Sequence, residues 1–524
     1  MLVAVGAAVA WKSLLLALGA FPFNADEAVV GLMARHILAG SRPLFFYGQA
    51  YLGSLDGYLV AAAFGAVGES VAAIRLIQLI LFAGTVATTV ALAQRMIRPG
   101  WAGLAAGLLM AIPAVNVTLY TTVSLGGYGE AILVGNLLLL LGLRAGDRPG
   151  DLPTALAWGV LAGLGFWIFG LTIVYILPSA VLVAASLRRA DPRRKAAAAL
   201  VAAAGLALGG APWWYSALRG GLADQMGEML GSAIAGASPV SPLQAVAAHA
   251  ANLGLFGLTV IFGLRAPWST RALAPALMPF ALAFWLFVLY HSLSPRAVRT
   301  LTGRGRAVLF GVMACLVAGF LLTPFGADPS GRYFLPLAVP LSLLAADALD
   351  HVRRAISPLG GAILLAFLLG FHAWGTLRSA QENPPGITTQ FDSSTWADRA
   401  YDAALISFLH DQGETRGYTT YWVSYPLAFL SRETLIFAPL LPYHLDLRYT
   451  PRDDRYPPYK EAVGRSDRAA FISARNPALE EVLRRGFDGL GLAWHEERIG
   501  DYTVFYGLAR RVDPSELGLG VSRP

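Results

Sequence analysis

Long apolar runs separated by short polar segments dominate the first 376 positions. A helix needs about 17–25 mostly apolar residues to cross a bilayer. Runs near that size lie at 2–20, 70–93, 101–119, 129–143, 154–168, 171–187, 196–216, 272–290, 307–323, 333–349 and 359–376. The stretch 154–187 is too long for one crossing and carries Gly163, Gly165 and Gly170. Its flanks are both basic, Arg144/Arg148 before it and Arg188/Arg189/Arg193/Arg194/Lys195 after it. Two cytoplasmic flanks require an even number of crossings between them, which predicts a pair of helices. The segment 251–264 is short and ends at Arg265-Ala-Pro-Trp. Taken as re-entrant or interfacial, it leaves Arg296, Arg299, Arg304, Arg306 and Arg353-Arg354 on the cytoplasmic side. The pattern then predicts about eleven crossings, N-terminus inside and C-terminus outside.

Beyond Thr376 the period changes. Thr419-Thr-Tyr-Trp-Val, Leu435-Ile-Phe-Ala, Ala469-Ala-Phe-Ile and Tyr502-Thr-Val-Phe-Tyr read as strands, and 398–411 and 477–486 as helices. Mixed strands and helices predict a small α/β domain over 377–524, with the Pro/Asn/Gly cluster at 383–386 as its linker. The expected whole is an all-α polytopic membrane domain, 1–376, followed by that domain.

Composition agrees with membrane embedding: 56% hydrophobic residues, 14% charged and a mean hydropathy of +0.55. The net charge of +7 does not indicate nucleic acid, because the basic residues cluster in short loops between apolar runs. Lys12 interrupts the first apolar stretch without a basic region before it, which predicts a retained membrane helix rather than a signal peptide. That lysine either snorkels or faces the bundle interior. The single cysteine, Cys315, lies in an apolar run and leaves no disulfide framework.

Carboxylates beside hydrocarbon are costly and mark functional positions. Asp26-Glu27 follows the first apolar helix in Phe21-Pro-Phe-Asn-Ala-Asp-Glu-Ala, and Tyr47-Gly-Gln-Ala-Tyr-Leu-Gly-Ser-Leu-Asp56-Gly-Tyr58 comes behind it. Residues 27–39 place Val30, Met33 and Ile37 on one helical face, and 51–64 can form a second helix carrying Asp56. Both are expected to lie along the membrane surface. Glu130 closes Ser124-Leu-Gly-Gly-Tyr128-Gly-Glu, and Arg332-Tyr333 stand in Asp328-Pro-Ser-Gly-Arg-Tyr-Phe-Leu-Pro-Leu. A guanidinium fork beside a phenol suits a phosphate. Plainer roles exist for each: a helix cap for Asp26, a cap or an Arg35 partner for Glu27, a first-turn acid for Glu130, and a snorkelling anchor for Arg332. Arg455-Tyr-Pro-Pro-Tyr reads as a turn-like aromatic segment that serves folding or binds a sugar.

These segments resemble the GT-C glycosyltransferases, the branch holding protein O-mannosyltransferases and the lipid A aminoarabinose transferase. Gly163-Leu-Gly-Phe-Trp, Leu177-Pro178 and Ala211-Pro-Trp-Trp-Tyr215 extend the likeness over most of 20–376. The aminoarabinose transferases follow their second-loop acid with a lysine, whereas Gly57 follows Asp56 here. The resemblance implies an inverting transfer of a sugar from a polyprenyl-phosphate donor to a hydroxyl of a glycan, lipid or protein. It places the reaction at the outer face of the cell membrane, with the C-terminal domain extracytoplasmic. Asp26 would be the catalytic base with Glu130 as a second catalytic acid. Glu27, Tyr47, Gln49, Asp56, Tyr128, Arg332 and Tyr333 would line the substrate. No cofactor is required by this chemistry, although Asp26 and Glu130 could hold a divalent metal ion as loop carboxylates do in some relatives. The eight histidines lack ligand spacing, and no Gly-rich nucleotide loop is present. A transporter or flippase of lipid-linked sugars and a polysaccharide polymerase or ligase are the alternatives.

Overall fold

The computed structural model describes residues 1–97, 99–231, 241–294, 301–382 and 386–520. Most of the 383–386 linker, and Arg296 and Arg299, lie outside the described residues. The chain packs as two compact units. The first comprises Met1–Ala20, Ala50–Asp56 and Arg75–Glu382, the second Phe21–Gln49, Gly57–Ile74 and Asn383–Pro524. Residues of the first loop therefore pack into the same unit as the C-terminal region.

The first unit is helical. Among the described residues seven helices are long and apolar enough to cross a membrane, and the bent pair Pro192–Gly209 and Ala211–Gly220, angled by 69°, would make an eighth. Four of the expected crossings are shorter helices: Leu2–Ala17, Trp101–Ala111, Leu152–Ile168 and Met278–Leu293. The run at 101–119 breaks at Pro113, which lacks an N–H and bars helix from the residue before it; a short helix, Val115–Tyr120, resumes beyond. The 154–187 stretch divides at Phe169, extended at φ −163°. The segment 251–264, expected to be re-entrant or interfacial, is part of a longer helix than its apolar run indicates. It belongs to a continuous helical stretch, Pro242–Ile261, with a π-turn at Asn252–Gly257. Its start is hidden in sequence because Gln244 and His249 interrupt the apolar pattern, yet Ser241 and Gln244 form a reciprocal cap.

Helices Leu152–Ile168 and Pro192–Gly209 pack backbone to backbone through two small-residue faces. A Cβ on Gly159 would come within 2.2 Å of the Ala202 carbonyl, and one on Gly209 within 2.0 Å of the Val160 carbonyl. Lys12 faces the interior. It is 1% exposed, and its ammonium donates to the Thr121 carbonyl at 2.6 Å, Thr121 Oγ1 at 2.8 Å and Thr122 Oγ1 at 2.7 Å, beside the Phe82 ring.

The second unit is built on a mixed sheet. With the first-loop strands Phe45–Phe46 and Gln49–Gly53 numbered β1 and β2, the strands of this sheet are Arg416–Tyr418 (β3), Ile436–Ala438 (β4), Ala470–Ala474 (β5), His495–Ile499 (β6) and Tyr502–Tyr506 (β7). The order is β4-β3-β5-β7-β6, with β3 parallel to β4 and β5, and β7 antiparallel to β5 and β6. Phe437, Phe471, Phe487 and Phe505 are buried around it. The strand expected at 419–423 is corrected: β3 stops at Tyr418, and Tyr421–Leu430 is a helix. A short apolar run fits either period, and burial on several sides selects the helix. The charged edge strand β6 carries no apolar signal in sequence.

The first-loop helix Ala25–Leu38 is also corrected. It is buried along most of its length rather than lying on a membrane surface, and it packs on Tyr421–Leu430. Gly31 permits that approach, since a Cβ there would meet the Phe429 ring at 2.5 Å. The stretch 51–64 begins as strand β2 and turns helical only at Leu55–Val67.

Candidate functional site

In the second unit the site is built around Asp26. Asn24, extended at φ −131°, caps the helix by accepting the Glu27 N–H at 3.1 Å, so neither Asp26 nor Glu27 is the cap. The Asp26 carboxylate is thereby free for other partners. Tyr421 donates to its Oδ1 at 2.5 Å and Thr389 to its Oδ2 at 2.8 Å. Thr389 in turn accepts from Asn24 at 3.1 Å. Asp26 remains half-buried, so its spare lone pairs can take a further donor. Burial, and then the Asp26 charge, push the Tyr421 phenol well above its ordinary range, which keeps it a hydrogen-bond donor. The Arg455 guanidinium lies 5.5 Å from the Tyr421 ring centre.

The neighbouring predicted residues have other surroundings. Glu27 is fully buried. Arg35 does not serve it as the expected ion-pair partner and instead pairs with Glu69 and, at 3.1 Å, with Glu433. Tyr47 bonds His36 Nδ1 at 3.0 Å and stacks on Tyr456 at 4.7 Å. His36 Nε2 meets Glu433 at 2.9 Å, and Tyr459 donates to the same carboxylate at 2.8 Å. Although burial opposes it, His36, Tyr459 and Arg35 hold Glu433 down at about 2. Gln49 is half-buried on β2. This network fastens the first-loop helix within its unit, and it absorbs the aromatic pair of the Arg455-Tyr-Pro-Pro-Tyr segment.

In the first unit Arg332 and Tyr333 open a 3-10 turn, Arg332–Leu337, that leads into helix Ala338–Ala355. Gly331 turns the chain at φ +83°, where a Cβ would also strike Val260 at 2.9 Å. Its carbonyl accepts from Asn116 at 3.0 Å. The Arg332 guanidinium pairs with Asp328 at 2.6 Å and interacts electrostatically with Tyr128 and Tyr120. Its buried Nε has no acceptor among the described residues. Tyr333, with Tyr51, also lines an apolar groove of about 210 Å³. Phe166, Phe169, Phe320, Leu316 and Cys315 line it as well. A hydrocarbon-lined groove with a cation and phenols beside it suits an amphiphile with an anionic head.

Asp56 and Glu130 form a second, deeper place in the first unit. Asp56 is 1% exposed and accepts from Ser124 at 2.5 Å, the Gly126 N–H at 3.3 Å and Gln78 at 3.2 Å. Glu130 sits in the first turn of helix Tyr128–Asp147, and among the described residues neither carboxyl oxygen has a hydrogen-bond partner of normal geometry, though the Asp56 carboxyl acts on it through space. Among the described residues no group of three or more His, Cys, Asp or Glu side chains could hold a metal ion. Asp26 already accepts a hydroxyl on each oxygen.

The predicted residues thus fall into two sets: Asp26, Glu27, Tyr47 and Gln49 in the second unit, and Asp56, Tyr128, Glu130, Arg332 and Tyr333 in the first. Sequence reasoning missed Thr389, Tyr421 and Asp453 in one set, and Tyr51 and Tyr120 in the other. Tyr51 and Tyr120 stand close to motifs that were legible. Thr389 and Tyr421 are separated from Asp26 by more than 360 positions, and nothing local ties them to it.

No protein-family model matches the chain, and no curated protein matches it in sequence. Solved structures do match in fold. ArnT from Cupriavidus metallidurans bound to undecaprenyl phosphate superposes with a TM-score of 0.57 at 12% identity, covering 98% of this chain and 99% of that one. The apo state of the same protein gives 0.56 at 14% identity, covering 97% and 99%. The Archaeoglobus fulgidus oligosaccharyltransferase in complex with Zn and sulfate gives 0.50 at 14% identity, covering 97% of this chain and 73% of that one. Both proteins are of the GT-C type, and this chain has the GT-C fold: a polytopic helical membrane protein with a small sheet-containing region towards its C-terminus.

Proposed function

We propose that this protein is an inverting glycosyltransferase that moves a sugar from a polyprenyl-phosphate donor to an acceptor hydroxyl at the outer face of the cell membrane. The observation that carries the proposal is the apolar groove lined by Tyr51 and Tyr333, with the Arg332 guanidinium 5.0 Å from the Tyr333 ring centre. The ArnT structure that shares the fold was solved with undecaprenyl phosphate, a ligand of that chemistry. The prenyl tail occupies the groove, and Arg332 receives the phosphate, with Tyr333 and Tyr128 as neutral donors. Glycan, lipid and protein acceptors all offer the required hydroxyl.

The acceptor oxygen attacks the anomeric carbon as the bond from that carbon to the phosphate oxygen breaks. The bonding pair leaves with the phosphate, and the Arg332 charge stabilises it there. Because a phosphate monoester is a good leaving group, no general acid is needed. The acceptor proton passes to the Asp26 carboxylate, which Tyr421 and Thr389 hold in place. Attack opposite the leaving group inverts the anomeric centre. Glu130 is assigned a supporting role beside Asp56, in the turn that carries Tyr128.

The donor site is tested through Cys315, the single native thiol, which lines the groove. Undecaprenyl phosphate should slow its alkylation by an apolar maleimide at least fivefold, and Arg332→Ala should abolish the protection. Unchanged alkylation in the wild type would remove the groove from donor binding. The membrane side is tested in Cys315→Ser with Thr302→Cys or Ala327→Cys, both at exposed positions. An impermeant thiol reagent on intact cells should label position 327 and spare 302. The reverse pattern would put Arg332 on the cytoplasmic side and exclude an outer-face reaction.

A further inference from the structure

Asp453 is a carboxyl that the transfer chemistry leaves unused. It ends the 3-10 turn Pro451–Asp453 and is 8% exposed. Its backbone is fully engaged: the N–H donates to the Thr450 carbonyl at 3.0 Å, and the carbonyl accepts from the Arg455 N–H at 2.9 Å and from the Tyr425 hydroxyl at 3.2 Å. Among the described residues, no hydrogen-bond donor and no cation at ion-pair distance reaches its side-chain carboxyl. An unpartnered buried carboxyl is costly, and packing alone gives no reason to keep one.

The groups facing it come from several elements. Asp26 belongs to helix Ala25–Leu38, Arg455 follows the turn, and Tyr443 and Tyr449 lie before it. Burial pushes Asp453 up to about 7, with Arg455 opposing and the Asp26 charge adding to the rise. At pH 6 the carboxyl is therefore mostly protonated and can donate, while Asp26 accepts from its hydroxyl partners. Tyr443 senses both acids and stays protonated, chiefly through burial. Trp422 stands edge-on to Tyr421 at 4.9 Å and to Tyr443 at 6.3 Å, and among the described residues its buried indole N–H has no acceptor. Donors and acceptors alternate here beside aromatic rings. A carbohydrate matches that arrangement, with hydroxyls for the polar groups and C–H faces for the rings.

We propose that Asp453, with Asp26, Tyr421, Tyr443 and Trp422, forms a polyol subsite of the second unit that takes the hydroxyls of a sugar. The proposal deepens the transferase assignment and rests on it for the role of the sugar, which belongs either to the acceptor or to the donor. The test uses the full-length protein in nanodiscs and saturation-transfer NMR with methyl α-D-glucopyranoside and methyl α-D-mannopyranoside. At least one glycoside should bind at pH 6, and Asp453→Ala should weaken it tenfold or more. Between pH 6 and 8.5 the wild-type affinity should fall at least threefold as Asp453 ionises. Asp453→Asn, whose amide still donates, should bind at pH 6 and show no such fall, a result that stands even if the alanine variant does not fold. A wild type that binds neither glycoside, an alanine variant that binds as tightly, or a pH-independent wild type overturns the subsite.

Farnesyl-phosphoryl glucose separates the two sources. Weakening of the free glycoside alone assigns the subsite to the acceptor, and weakening of both ligands assigns it to the donor sugar. None of these readouts requires turnover. A failure of the transferase assignment, seen as absent sugar transfer, is therefore distinguishable from a failure of the subsite.

Discussion

Asp26 and Glu130 both stand in the first turn of a helix that follows an apolar segment, yet their surroundings are opposite. Asp26 is half-buried and has a hydroxyl donor on each oxygen. Glu130 is 2% exposed, lies beside Asp56 and, among the described residues, has no hydrogen-bond partner of normal geometry on either oxygen. A base has to be oriented and reachable, and the two hydroxyl donors and partial exposure of Asp26 suit both needs. A carboxyl enclosed beside a second carboxyl favours one shared charge over two. The helix position is alike in the two places. What differs is which distant side chains arrive, and that decides the chemistry each acid can perform.

The largest expected effect separates the two acids directly. Asp26→Asn should keep the fold and donor binding but lower transfer by about two to four orders of magnitude, the usual contribution of a general base. Radiolabelled sugar transfer in proteoliposomes measures this, and a variant retaining a tenth of wild-type activity removes Asp26 from the role. Arg332→Ala should come next, raising the donor KM by roughly a hundredfold, with Arg332→Lys recovering part of the loss because charge matters beside the fork geometry. Equal, normal KM values for both would move the phosphate elsewhere.

Glu130→Gln should lower kcat by about tenfold at most, since its neighbours Asp56 and Tyr128 keep their places. A loss as deep as that of Asp26→Asn would erase the contrast and make Glu130 a participant. The smallest effect concerns stability. The folded pKa of Asp453 is raised above its unfolded value, so its favourable contribution is complete below about pH 4 and is lost as pH rises through about 7. Asp453→Asn removes the cost of ionisation and should raise Tm by a few degrees at pH 8. That gain should vanish near pH 4. An equal gain at both pH values would trace it to packing.

How legible the site was depended on where its parts lie in the chain. Arg332-Tyr333, Asp26 and the Ser124–Glu130 turn stand beside apolar runs, and their mismatch with hydrocarbon exposed them. Tyr421 was visible only as part of a strand-like run, and Asp453 as one acid in a polar segment. Their value comes from burial and from partners far away in sequence. The same contrast holds for the helices. Clean apolar runs such as Val71–Met96 and Gly303–Leu322 were evident. Pro242–Ile261 was underestimated because its polar first turns diluted the hydropathy signal.

The order of residues alone carried the membrane class, the change of character after Thr376, the paired helices at 154–187 and the acids and arginine worth following. Those features are local, fixed by the length of apolar runs and by the cost of charge beside them. Only the tertiary structure decided that the first-loop helix is buried on Tyr421–Leu430, that Asn24 rather than Asp26 caps it, and that Tyr421 and Thr389 hold the carboxylate. Those outcomes depend on close approach between segments hundreds of residues apart. Hydrogen bonding and desolvation act over a few ångströms, so no local pattern in the chain records them.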